Sequence, residues 1–202
     1  ESGDVPAPFV ITGVQRSAWV RTIRGTGTVF AIRLRPAGLA VISSLRASTL
    51  SAQTPLERGM DATLFDMMSD IAGAEDPAMR ADEVIAEARA TTPPSREHLL
   101  ANEVVDTLSR TVRSRTGSRL ASEVGASERA VQRALQSTLG MGPKAVARRI
   151  RLQEVVRQLS IPGADVSDIA VGLGYADQAH LIRDFRGVAG VTPGQYVREN
   201  ST

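Results

Sequence analysis

The feature that most limits how this chain can fold is that its C-terminal part runs through the same series of helix signals twice. At an offset of 50, Arg133 aligns with Arg183, Leu135 with Phe185, Gly140 with Gly190 and Pro143 with Pro193. Upstream the offset is 49, pairing Leu120-Ala121 and Gly125 with Ile169-Ala170 and Gly174, which makes Tyr175 the single inserted residue. Each copy reads as a short helix stopped by glycine, then a second helix opened by a capping side chain, Ser127 or Asp177, and closed by Gly140 or Gly190. A proline then starts the next helix. Two copies are too few for a solenoid; a short helix, a glycine-containing turn and a second helix make a helix-turn-helix unit.

The second helix of each copy carries one apolar face: Ala130, Val131, Ala134, Leu135 and Leu139, then Leu181, Phe185, Val188 and Ala189. What this leaves outside, near each N-terminal end, is Glu128, Arg129, Gln132 and Arg133 in the first copy and Gln178, His180, Arg183 and Asp184 in the second. Arginine pairs bidentately with guanine and glutamine with adenine, and a recognition helix meets base edges at this end. Any one of these side chains is also what a solvated helix face carries; their recurrence in both copies favours a reading surface. Between the units, KAVARRIRLQEVVRQL from Lys144 to Leu159 reads as a helix about 24 Å long. With the width of its flanking units it spans roughly the 34 Å of one DNA turn.

The rest of the chain differs in character. FVITGV, AWVRTI and TVFAIRL, between Pro8 and Arg35, are β-branched and aromatic with glycine turns, and they predict a small antiparallel sheet. After Pro36, AGLAVISSL, ATLFDMMSDIAG and PAMRADEVIAEARA show helical spacing, the last with Asp76 as N-cap and Pro77 at the first helical position. TTPPSR, Thr91 to Arg96, breaks helical character and reads as a linker. Beyond it EHLLANEVVDTLSRTVR places Leu99, Leu100, Val104, Leu108 and Val112 on one stripe. The expected architecture is α+β. A mixed domain over 1–92 has strands in 8–35 and helices in 37–90, and an all-α domain over 93–202 has units at 118–140 and 165–190 joined by the long helix.

Charge divides the same way. Residues 1–95 carry 9 Arg against 11 acidic residues and residues 96–202 carry 15 Lys plus Arg against 11, so the second half is the basic one. Of the cations, only Lys144 is not arginine. At 202 residues and 42% hydrophobic content the chain fills a packed core. It has no Cys and no apolar run of spanning length, which excludes disulfides and thiolate metal sites and fits the cytoplasm.

Catalysis is not expected. His98 and His180, the two histidines, lie 82 positions apart, and neither an HExxH spacing, a G-x-S-x-G elbow nor a P-loop occurs. Gly25-Thr26-Gly27 reads as a hairpin turn. Met67-Met68 and Trp19 read as core packing, with an effector pocket as the alternative. No catalytic residue, metal or cofactor is called for.

The run GYADQAHLIRDFRGVAGVTPGQYVR, Gly174 to Arg198, orders Gly-Tyr, Phe, Gly, Thr-Pro and Pro-x-x-Tyr-x-Arg as in the second-unit signature of the AraC/XylS transcription regulators, and the C-terminal region resembles that family over about 105 residues. The first unit agrees in Leu120-Ala121, Ser127, Gln132-Arg133, Gly140, Pro143, Arg148 and Arg151-Leu152. It departs where the family usually has rings, with Leu135 and Val146 matching Phe185 and Tyr196. The resemblance implies sequence-specific contacts to double-stranded DNA from Arg129, Gln132 and Arg133 and, with less weight, from Gln178, His180 and Arg183. The run VFAIRLRPAGLAVISSL looks like sensory domains attached to some of these regulators, which bind an effector or dimerise. Further partners left open are RNA polymerase, a small-molecule effector and a second copy pairing through the N-terminal domain; no membrane is expected. The alternative is a small-molecule sensor whose DNA binding is non-specific or architectural.

Overall fold

The computed structural model describes residues 8–14, 29–50, 53–110 and 117–200. They fall into two compact units. The first holds residues 8–14, 29–50, 53–102 and 136–140; the second holds 103–110, 117–135 and 141–200.

In the first unit β1 (Val10–Ile11) pairs antiparallel with β2 (Thr54–Pro55), and α1 (Leu39–Ile42), α2 (Ala62–Gly73) and α3 (Pro77–Thr91) supply the helices. α3 packs against α1 and α2. Val41, Ile42, Leu56 and Leu64 are the buried centre, with the rings of Phe9 and Phe65 edge to face at 5.4 Å beside them. Met67 and Met68 pack against this core and against the adjoining Ile71, Ala81 and Val84, as the core reading required. Asp76 caps α3 by accepting from the amides of Ala78 and Met79, both at 3.0 Å. Asp61 caps α2 through the Leu64 amide and also accepts from the Ser43 hydroxyl and the Ser44 amide, which fixes the α1 exit to the α2 entry.

The sheet is present, but its membership differs from the sequence expectation. Its second strand is Thr54–Pro55, outside 8–35, and among the described residues Val29 to Arg35 belong to no strand. Ile32 and Leu34 still turn inward onto the helical core while Ala31, Arg33 and Arg35 face out. Period-two hydrophobicity reports one buried face; it carries no information on whether a neighbouring backbone completes a ladder. AWVRTI and Trp19 lie outside the described residues.

α4 (Arg96–Arg110) follows the linker and contributes to both units. Its buried stripe is Ala101, Val104 and Leu108, while Leu99 is 50% exposed, so the stripe is turned from the expected phase. Val112 is outside the described residues.

The second unit contains α5 (Ser118–Glu123), α6 (Glu128–Leu139, as far as Leu135), α7 (Pro143–Leu159), α8 (Val166–Gly172), α9 (Gln178–Ala189) and α10 (Pro193–Asn200). Leu152, Val155, Leu159, Ile169, Leu173, Tyr175, Leu181 and Phe185 form the core around α7, α8 and α9. The Phe185 and Tyr196 rings meet edge to face at 5.7 Å, joining α10 to α9. Leu135 and Val146, which stand where the second copy has those rings, are buried all the same.

Candidate nucleic-acid interface

The two copies close their turns with the same hydrogen bonds. The amides of Val124, Gly125 and Ala126 donate to the carbonyls of Leu120, Ser122 and Ala121; those of Leu173, Gly174 and Tyr175 donate to Ile169, Val171 and Ala170. This is the glycine-terminated helix end, with Gly125 at φ 61° and Gly174 at φ 75°, a backbone that only glycine adopts without strain. The second helices are then opened by matching caps, Ser127 accepting from the Ala130 amide at 3.2 Å and Asp177 from that of His180 at 2.6 Å.

These bonds fix the register between the copies and correct one detail of the sequence alignment. Tyr175 takes the place of Ala126, at an offset of 49, and Asp177 the place of Ser127, at 50. The inserted residue is therefore Ala176. In this register Gln178, Ala179, His180, Ile182, Arg183 and Asp184 stand opposite Glu128, Arg129, Ala130, Gln132, Arg133 and Ala134. Among the reading residues only arginine, Arg133 and Arg183, recurs position for position; the glutamines do not.

All six expected reading residues, Arg129, Gln132, Arg133, Gln178, His180 and Arg183, are exposed. They differ in what holds them. Gln132 folds over the start of α7, where a Cβ on Gly142 would meet its Nε2 at 3.0 Å. Beside it lies an open groove of about 560 Å³ whose lining includes Glu128, Arg129, Gln132, Pro143 and Lys144. The equivalent start of α10 is closed by a capping box: the Thr192 amide donates to Gln195 Oε1 at 2.8 Å, and the Gln195 amide to the Thr192 hydroxyl at 3.3 Å. The His180 and Tyr175 rings stand perpendicular with centroids 5.2 Å apart, so part of the imidazole surface is already engaged.

Asp184 is not part of the outward set. Its side chain is only 14% exposed and joins α9 to α7: Arg148 donates from Nε to Oδ1 at 2.6 Å and from Nη2 to the Asp184 carbonyl at 3.3 Å. The Tyr175 hydroxyl donates to Oδ2 at 3.0 Å, and the Arg151 guanidinium lies over the Tyr175 ring at 5.2 Å. Burial pushes the Tyr175 phenol well above its ordinary pKa, and the Asp184 charge and hydrogen bond add to this against the opposing pull of Arg151 and Arg148. The sequence signal for this cluster was the contrast between copies: Tyr175, His180 and Asp184 replace Ala126, Ala130 and Ala134. Among the described residues no three or more His, Asp or Glu side chains gather as metal ligands, and no helix is long and apolar enough to cross a membrane.

Residues 120–199 match the family model of a helix-turn-helix domain. Among solved structures the chain is similar to a DNA-binding transcriptional dual regulator from Escherichia coli K-12, at 22% identity over 50% of this chain and 92% of that one, with a TM-score of 0.47. The C-terminal domain of AraT, a response regulator from Geobacillus stearothermophilus, matches at 21% identity over 52% and 89%, TM-score 0.48. ToxT from Vibrio cholerae O395 matches at 13% identity over 72% of this chain and 59% of that one, TM-score 0.48. No curated protein matches the sequence.

Proposed function

We propose that the protein is a DNA-binding transcription regulator of the AraC/XylS type, a reading supported by the match of residues 120–199 to a helix-turn-helix domain, and that it binds specific sequences by laying the N-terminal halves of α6 and α9 in successive major-groove segments. The observation that carries this reading is the pair of identical turns, each presenting the start of a helix whose inner face is buried and whose outer face holds Arg and Gln. Arg129, Arg133 and Arg183 suit guanine and Gln132 and Gln178 suit adenine, each bidentate contact discriminating by about 1–3 kcal/mol. His180, with its ring against Tyr175, contributes less than Arg183. Sensing of a small molecule and pairing of two copies belong, on this reading, to the N-terminal unit; a thermal-shift screen and light scattering on the whole protein separate the two.

The test is selection of bound sequences from random duplex DNA by the full chain, repeated with Arg133→Ala. The expected result is a defined bipartite site in which Arg133→Ala relaxes one or two positions and weakens operator binding by about 1–3 kcal/mol, with little effect on random DNA. Equal weakening on both would reduce Arg133 to a phosphate contact. No enriched sequence, with a steep salt dependence, would favour the architectural alternative.

A further inference from the structure

The second reading helix is held by a cluster of polar side chains at positions where the first copy carries alanines. In the register set by the caps, Ala130 and Ala134 occupy the places of His180 and Asp184, and in the register set by the turns Ala126 occupies that of Tyr175. The first copy thus presents three methyl groups where the second presents a ring, an imidazole and a carboxylate. The carboxylate receives a phenol on one oxygen and a guanidinium on the other, and that guanidinium also reaches the Asp184 backbone carbonyl. Three polar groups from α7, the α8–α9 turn and α9 itself are locked to one another.

A carboxylate on a reading helix also stands in the field of a polyanion. Here it faces Arg148, whose side chain is 48% exposed, so the pair presents no net charge at the surface. We infer that Asp184 is a positioning residue that fixes α9 against α7, aims Arg183 and Gln178 at their bases, and withholds the charge of Arg148 from phosphate. The inference rests on the base-reading role of α9 proposed above. It assigns to sequence discrimination a residue that faces inward and reads no base.

Loss of packing alone weakens binding to every DNA sequence alike. Loss of a positioning residue that also masks a cation acts in opposite directions on the two kinds of binding. Asp184→Asn keeps the size of the side chain, weakens both hydrogen bonds and frees the Arg148 charge. The expected result is a fall of roughly tenfold in the ratio of operator to random-DNA affinity. Random-DNA affinity is expected to be unchanged or tighter, and the salt slope steeper by up to about 1. In sequence selection Asp184→Asn relaxes the same base positions as Arg183→Ala and leaves those of Arg133 intact. The charge-swapped pair Arg148→Asp with Asp184→Arg recovers part of the preference that either single change loses. Should these changes impair folding, Tyr175→Phe removes one hydroxyl and gives a smaller relaxation at the same positions.

A parallel fall on operator and random DNA, relaxation at the positions of Arg133, or no relaxation would overturn the positioning role while leaving the proposed function standing. A wild-type protein without sequence preference would overturn both.

Discussion

Phe185 is the residue whose truncation tests the packing of the second helix-turn-helix unit most directly. Its ring is 2% exposed in the core formed by α7, α8 and α9 and meets Tyr196 edge to face. Replacing it by alanine removes about 150 Å² of buried apolar surface, roughly 4 kcal/mol at about 25 cal/mol per Å², and the aromatic pair adds about 1 kcal/mol. The sum, about 4–5 kcal/mol, lies at the upper end for phenylalanine truncation in cores and approaches the whole stability of a modest domain. Phe185→Leu, which installs the residue found at the matching position 135, keeps most of the volume and loses the ring pair, costing about 1–2 kcal/mol. Urea unfolding of the full chain followed by far-UV circular dichroism reads both. With a slope of about 2 kcal/mol per M, the alanine variant's C-terminal transition moves down by roughly 2 M and the leucine variant's by less than about 1 M. Losses below about 1 kcal/mol for both variants would refute the assignment of Phe185 to a close-packed core.

Three other outcomes follow from the geometry. Gly125→Ala and Gly190→Ala meet nothing within 4 Å of the added Cβ, so each is expected to cost only the left-handed conformation, about 1–2 kcal/mol in thermal or urea unfolding. A cost well above that range would mean a steric conflict at the turn. Burial pushes the Asp61 carboxyl up, but the Leu64 amide, the Ser43 hydroxyl and the Ser44 amide outweigh it and leave the group below its ordinary pKa. The stability it contributes is therefore complete above the unfolded value of about 3.9 and is lost as pH falls through the lower folded value. Asp61→Asn, which removes the charge that strengthens these three hydrogen bonds, should accordingly destabilise at pH 7 by about 1–2 kcal/mol, with the gap from wild type closing in acid titrations of melting temperature as pH falls below the unfolded value. Gly142→Thr supplies the cap that the start of α7 lacks and displaces the Gln132 amide, the mobile end of its side chain. A stability gain of a few tenths of a kcal/mol, together with altered preference at the base read by Gln132 in sequence selection, is expected.

The sequence by itself determined where helices start and stop, in the C-terminal region above all and at α3 in the N-terminal unit. Caps such as Ser127, Asp177 and Asp76, helix-opening prolines at 77, 143 and 193, and glycines with positive φ at 125, 140, 174 and 190 act within one turn of their own backbone, so their consequences follow from a few adjacent residues. The same locality made the outward set readable, because a helix with one apolar face leaves the opposite side chains exposed. All six candidate residues do face out. What only the tertiary structure decided concerns partners. It gave β1 its strand mate at Thr54–Pro55, turned the α4 stripe onto Ala101, and made Ala176 the inserted residue. It also drew Asp184 inward between Arg148 and Tyr175, residues 36 and 9 positions away. A carboxylate with helical spacing to the reading residues looks solvated in the sequence. Its direction depends on whether a donor on another helix stands within hydrogen-bond reach, and packing alone sets that.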